Sequence, residues 1–104
     1  MRTTINARHC EVTELLRERA ITVMERLGNL ASRPMEMTVV FDIDGPRQIV
    51  ELRLHVARGE ILLAKADGPD HRTALDRAEE KLRKQVERVS ARRRSRPTHS
   101  DNPL

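Results

Sequence analysis

The residues best suited to chemistry in this chain are cations that recur along one side of its last predicted helix. At about 100° per residue, they fall within a strip about 80° wide. The members of this basic strip are Arg77, Lys81, Lys84, Arg88 and Arg92. Residues 81–96 contain eight Lys or Arg and one acid, Glu87, so the positive charge is locally concentrated. Such a strip can neutralise a row of phosphates and release their counterions, which predicts nucleic-acid binding.

The alternative interpretation of the strip is a solvated helix face with ordinary i,i+4 ion pairs. The acids Asp76, Glu80 and Glu87 collect on a separate side of the helix, and this separation favours a binding surface. Four further arginines could enlarge it. Two follow the strip along the chain and two flank the apolar side of the first predicted helix: Arg93, Arg94, Arg19 and Arg26.

Composition excludes several classes of function. Phe41 is the only aromatic residue, so the chain cannot stack a series of bases on an aromatic platform. Cys10 is the only cysteine, and no second cysteine or paired histidine gives metal-ligand spacing. No glycine-rich phosphate loop, catalytic triad or His-Glu metal motif is present. We therefore expect no enzyme activity, no cofactor, no metal and no small-molecule substrate.

The basic strip must be positioned by a single domain, because 104 residues are too few for two ordinary ones. Charged residues make up 35% of the chain and hydrophobic residues 38%, a balance outside the disordered regime. The first ten residues lack the apolar segment of a signal peptide, and no apolar run reaches membrane-spanning length. We expect a cytoplasmic protein without membrane contact.

Hydrophobic periodicity predicts the order βαβββα. Residues 2–7 alternate weakly, and residues 13–30 repeat apolar side chains at helical spacing behind Thr13 as N-cap. Three alternating runs follow, separated by Asp44-Gly45-Pro46 and by Gly59, and Asp70 then opens the last helix. One apolar side per element predicts an α+β fold with both helices on one face of a four-stranded sheet. We expect one domain over residues 1–90 and a basic, disordered tail over residues 91–104.

Three segments resemble the ribosome hibernation promoting factor family, also called ribosome-associated inhibitor or sigma-54 modulation protein. They are VTELLRER at residues 12–19, Gly-Glu-Ile at residues 59–61, and GPDHRTALDRAEEKLRKQ at residues 68–85. Their order and spacing together carry the resemblance, which extends over about residues 2–90 and includes the βαβββα order. Arg72 departs from the family's usual Tyr at its position, and the Lys-rich end of the family helix is replaced by an arginine cluster.

The resemblance implies a partner and a mechanism. Family members bind the small ribosomal subunit in its decoding channel, block mRNA and tRNA, and silence the whole ribosome in starvation or stationary phase. The positions that match the family's contacts to ribosomal RNA are Arg17, Lys81, Lys84 and Arg88, with Arg77 on the same strip. The chain resembles a short form, which would need a separate dimerising factor to pair ribosomes.

Two other functions remain open at this stage. The first is a general double-stranded RNA-binding module of similar fold, although such modules usually place lysines where this helix has Asp70 and Asp76. The second is a protein-interaction module that would use the exposed sheet face, where the residues that matter would be Glu36, Val40, Ile49 and His55. Ribosome binding would distinguish the hibernation factor that the resemblance implies from both of these functions.

Overall fold

The computed structural model describes the backbone of residues 1–100 and the side chains of residues 1–91. Its six main elements follow the predicted order: β1 (Arg2–Ala7), α1 (Glu14–Leu30), β2 (Pro34–Asp44), β3 (Arg47–Val56), β4 (Ile61–Gly68) and α2 (His71–Ser100). A short 3-10 turn at Ala57–Gly59 joins β3 to β4. Thr13 is the N-cap of α1, where its hydroxyl accepts a hydrogen bond from the amide of Leu16 at 3.2 Å.

The four strands form one sheet in the order β1-β2-β3-β4. β1 pairs parallel to β2, whereas β3 is antiparallel to both of its neighbours. The helices contact the same face, with α1 over β1 and β2 and α2 over β3 and β4. The predicted fold class is confirmed, and its consequence for the site is that α2 lies beside the edge strand β4.

The core lies between this sheet face and the two helices. Alternation predicts the inward side chains of β3, and Val50, Leu52, Leu54 and Val56 are all buried. Phe41 supplies the one aromatic ring, fully buried at the centre. Apolar side chains thus fill the helix-facing side completely, which leaves function to the surfaces.

One predicted core position in β2 is wrong. Simple alternation places Met35 on the same inward side as Met37, but Met35 is 56% exposed. The register between β2 and β3 shifts between Pro34 and Glu36, so Met35 falls at an irregularity of the ladder. A bulge of this kind breaks the two-residue period, and Met35 leaves the core for that reason.

The opposite sheet face carries the mixed set of side chains that the sequence predicts. Glu36 pairs with Arg2 at 3.3 Å, and Glu51 pairs with Arg53 at 3.6 Å. Ile49 and His55 are partly exposed on this open face, while Val40 is almost buried. Charges on the open face are therefore largely compensated within the sheet.

The last helix is longer than the sequence predicts. Its apolar repeat ends at Val89, but the backbone remains helical to Ser100, so the expected start of a tail at residue 91 falls inside α2. The side chains of residues 92–100 and all of residues 101–104 lie outside the described residues.

Candidate nucleic-acid interface

The start of α2 is fixed by two sets of contacts, and these set the direction of every side chain on the helix. Asp70 is the predicted cap, and its carboxylate accepts a hydrogen bond from the amide of Thr73 at 2.7 Å. This bond holds the pKa of the Asp70 carboxyl below its usual value. His71 is buried, donates from Nε2 to the carbonyl of Asp42 at 2.8 Å, and meets Phe41 edge-on at 5.3 Å between ring centroids.

The apolar side of α2 confirms the predicted helix register. Four apolar side chains at helical spacing on α2 are buried, and a fifth, Val89, packs partly against the core. The buried positions are Leu75, Ala78, Leu82 and Val86. With this side fixed inward, the basic strip must point outward, past β4.

Two cations of the strip and one neutral residue contact the edge of the sheet directly. Arg77 donates to the carbonyl of Asp67 at 2.9 Å, and Lys81 donates to the carbonyl of Lys65 at 2.9 Å. Gln85 donates from its amide to the carbonyl of Leu63 at 2.7 Å.

The spacing of these contacts follows from the two elements. Four residues of helix rise about 6 Å and two residues of strand about 6.6 Å, so every fourth side chain meets every second carbonyl. The outer carbonyls of β4 are thereby satisfied, and an edge that could pair with another chain is covered.

Four exposed cations lie on the β4 side of α2, and two of them, Arg77 and Lys81, also make the contacts just described. We define the basic face as Arg77, Lys81, Lys84 and Arg88, all of them exposed. A guanidinium or ammonium that donates one hydrogen bond to a carbonyl keeps its charge and its remaining donors. Lys81, Lys84 and Arg88 line an open groove together with Leu62 and Val89.

All four acids of α2 between His71 and Ala91 are paired with arginines that lie off the basic face. Asp76 accepts from Arg19 at 2.9 Å, and Glu79 accepts from Arg26 at 2.8 Å, both across the interface with α1. Glu80 and Glu87 both contact Arg83 on α2 itself. These contacts raise the pKa of Arg26 and Arg83 and lower the pKa of Glu80.

The basic face is therefore uncompensated. Among the side chains of residues 1–91, none of its four members has a carboxylate within ion-pair distance. Two acids of α2 pair with arginines of α1, and the other two pair with Arg83. The charge that remains unpaired on the described part of the helix is positive.

The structure separates the other cations that the sequence proposes. Arg19 and Arg26 lie against α2, as expected for neighbouring helices, but they are occupied by Asp76 and Glu79. Arg17 is exposed and lies about 160° around α1 from Arg19 at helical periodicity, away from α2 and its basic face. The side chains of Arg92, Arg93 and Arg94 lie outside the described residues.

Sequence reasoning missed the contacts that attach this surface to the sheet. Gln85 is one helical turn beyond Lys81 on the same side, which is the only sign that it continues the row. Asp42 also makes an unpredicted contact with His9, at 3.3 Å between the carboxylate and the ring nitrogen. A hydrogen bond from the backbone amide of Ile43 lowers the pKa of the Asp42 carboxyl. Burial raises the pKa of the Cys10 thiol.

Within the described part of the chain, no cluster of three or more His, Cys, Asp or Glu is arranged to hold a metal ion. None of the described helices is long and apolar enough to span a bilayer.

The fold and the candidate interface define a class of protein: a small α+β domain whose last helix presents a basic face without ion pairs beside the edge of a four-stranded sheet. Within that class the chain belongs to the sigma 54 modulation protein / S30EA ribosomal protein family, whose model matches residues 3–94. The resemblance found in the sequence is thus confirmed. Family membership makes this protein a ribosome-associated modulation factor.

Individual relatives agree with this assignment. The ribosome hibernation promoting factor of Pseudomonas putida is 26% identical over 95 residues, which cover 91% of this chain and 92% of the relative. A ribosomal subunit interface protein from Coxiella burnetii has the same fold, with a TM-score of 0.77 at 19% identity, over 88% of this chain and 99% of that one. The N-terminal domain of Thermus thermophilus Protein Y gives a TM-score of 0.74 at 23% identity, over 86% and 99%.

Proposed function

We propose that this protein is a ribosome hibernation factor that binds ribosomal RNA of the small subunit through the basic face of α2. The observation that carries the proposal is the pairing of every described acid on α2 away from that face. Arg77, Lys81, Lys84 and Arg88 extend over about 17 Å of helix, enough to follow several phosphates of one RNA strand. Family membership supplies the ribosome as the partner, and the Pseudomonas putida relative supplies the hibernation role by its name.

The site of action that fits this surface is the decoding channel. A compact domain placed there would occupy the space of mRNA and of tRNA anticodon stems, and translation would stop by exclusion alone. The mechanism needs no catalytic step, which agrees with the absence of enzyme motifs in the sequence. Action on the ribosome places the protein in the cytoplasm, where a separate dimerising factor could pair the silenced ribosomes.

The fold is fitted to act as a rigid wedge. The helix that carries the basic face, α2, is held to β4 by three side-chain hydrogen bonds and to α1 by two ion pairs across the helix interface. Cations on such a support are positioned before the RNA arrives, so binding costs little ordering of the backbone. A general double-stranded RNA module is less well supported, because α2 begins with the carboxylate of Asp70 at the end where such modules present lysines.

Co-sedimentation with purified ribosomal particles tests the proposal. We expect binding to the small subunit and to vacant whole ribosomes, and loss of binding when mRNA and tRNA already fill the channel. The variant Lys84→Glu with Arg88→Glu should lose binding. The control Arg2→Glu with Arg53→Glu makes the same change in charge on the open sheet face and should retain it.

The opposite result for the two variants would assign binding to the open face and refute the basic face. Binding that persists unchanged on ribosomes filled with mRNA and tRNA would refute the decoding channel. Circular dichroism melts of both variants show whether each has kept its fold. We expect the Lys84 and Arg88 variant to keep it, because these two residues make no ion pair in the described structure.

A further inference from the structure

Two arginines outside the helices have a backbone conformation that side chains rarely adopt. Arg33, before β2, has φ of 56°, and Arg58, in the turn between β3 and β4, has φ of 74°. Only a few per cent of non-glycine residues have positive φ, and the conformation costs free energy that glycine would avoid. Both arginines are exposed, and within residues 1–91 neither has an ion pair.

The two arginines lie in loops that are bonded to each other. The amide of Ala57 donates to the carbonyl of Arg33 at 3.1 Å, which joins the β3–β4 turn to the segment before β2. The amide of Val56 donates to the carbonyl of Glu60 at 2.9 Å and closes the turn itself. Glu60, the acid in this turn, has an interaction of its own. The backbone on which both arginines stand is therefore fixed.

The joined loops adjoin the end of the basic face. Ala31 and Val56 on the loop side, and Val86 and Val89 of α2, line one small cavity. Val89 and Leu62 belong to this cavity and also to the groove lined by Lys84 and Arg88. The loop segment that contains Ala31 therefore lies next to the end of α2 where Lys84 and Arg88 are placed.

We propose that Arg33 and Arg58 form a second phosphate-binding contact that continues the basic face around this end of the molecule. The ligand is the sugar-phosphate backbone of folded RNA, so this inference rests on the proposed function. A planar guanidinium binds two oxygens of one phosphate, which suits isolated arginines on rigid loops. An RNA strand that runs along α2 past Arg88 and then turns across the two loops would meet this contact. The straight row of cations on α2 could not follow such a turn.

The test compares two double variants at the same positions. Arg33→Gly with Arg58→Gly removes both charges and relieves the backbone, so its melting temperature should stay close to that of the unsubstituted protein. Arg33→Gln with Arg58→Gln removes the charges and keeps side chains. Each variant should bind small subunits about tenfold more weakly at moderate salt, with a salt slope lower by about 1.4 to 1.8. Arg2→Gln with Arg53→Gln is the charge-matched control and should bind normally.

The outcomes separate this inference from the function on which it rests. If Lys84→Gln with Arg88→Gln weakens binding and both loop variants bind normally, the loop contact is refuted and the proposed function stands. If neither the α2 variant nor the loop variants weaken binding, the proposed function itself fails. Weakening by the glycine pair alone would show a backbone effect and would overturn the assignment of a phosphate contact.

Discussion

The dependence of ribosome binding on salt provides the most quantitative prediction from this structure. Each phosphate neutralised by a cation contributes about 0.7 to 0.9 to the slope of log affinity against log salt. The four members of the basic face should together give a slope of about −2.8 to −3.6. Affinity should then fall by roughly 50- to 150-fold between about 50 and 200 mM salt.

Replacement of Lys84 and Arg88 by Gln is the perturbation that isolates this term. Both side chains are exposed and have no ion pair in the described structure, so the fold should be unaffected. The slope should decrease in magnitude by about 1.4 to 1.8. The two remaining cations of the basic face would then lower affinity by only about 7- to 12-fold between about 50 and 200 mM salt. Other cations would add to both slopes equally, so the difference between the two proteins measures these two residues.

The measurement is a titration of fluorescently labelled protein with small subunits at several KCl concentrations and constant Mg²⁺. Arg2→Gln with Arg53→Gln serves as the control, because those arginines pair with Glu36 and Glu51 on the open face. An unchanged slope for the Lys84 and Arg88 variant would refute the reasoning. An equal decrease in the control would show a response to net charge alone and would refute it as well.

Three further predictions concern the support of the basic face. Leu82→Ala should lower the free energy of unfolding by about 2 to 5 kcal/mol, since Leu82 is fully buried; a loss below about 1 kcal/mol in urea unfolding would contradict its core position. Gln85→Ala should cost about 0.5 to 1.5 kcal/mol and expose the carbonyl of Leu63, with ribosome affinity retained; no change in stability would argue against the edge contact. The pKa of Asp70 is lowered in the folded state, so its stabilisation is complete above about pH 3.9 and lost as pH falls through the lower folded value. Asp70→Ser should flatten that acid limb of the urea midpoint, and an identical limb in both proteins would count against the cap.

The fold could be predicted because each of its elements is encoded locally. The two-residue period of β3, the helical repeat of α1 and the cap at Asp70 require no knowledge of distant residues. Prediction was wrong at Met35, where an irregularity of the strand ladder changed a local rule. Met35 leaves the core because the register shifts beside it. The disordered tail over residues 91–104 stays a prediction, and the backbone of α2 is helical as far as Ser100.

The positions of the candidate site residues could be predicted from the sequence, but the ion pairs of the neighbouring cations could not. Helical periodicity places Arg77, Lys81, Lys84 and Arg88 on one side, and the structure agrees. The same reasoning treats Arg19 and Arg26 as additional cations. Their partners, Asp76 and Glu79, are more than fifty residues away in sequence. Only the packing of α1 against α2 brings these charges together, so a sequence count of cations overstates the positive surface near α1.

This pairing also explains why a helix with four acids can still present a positive surface. Exposed ion pairs contribute little stability, but they determine which charges remain for a ligand. Asp76 and Glu79 form ion pairs with arginines of α1, and Arg83 forms ion pairs with both Glu80 and Glu87. If Arg83 were replaced by Gln, Glu80 and Glu87 would lose their partner, and Lys84, whose charge already contributes to the lowered pKa of Glu80, would remain close to it. Arg83→Gln should therefore weaken ribosome binding although Arg83 is not itself on the basic face, and normal binding by this variant would show that the acids do not limit the surface.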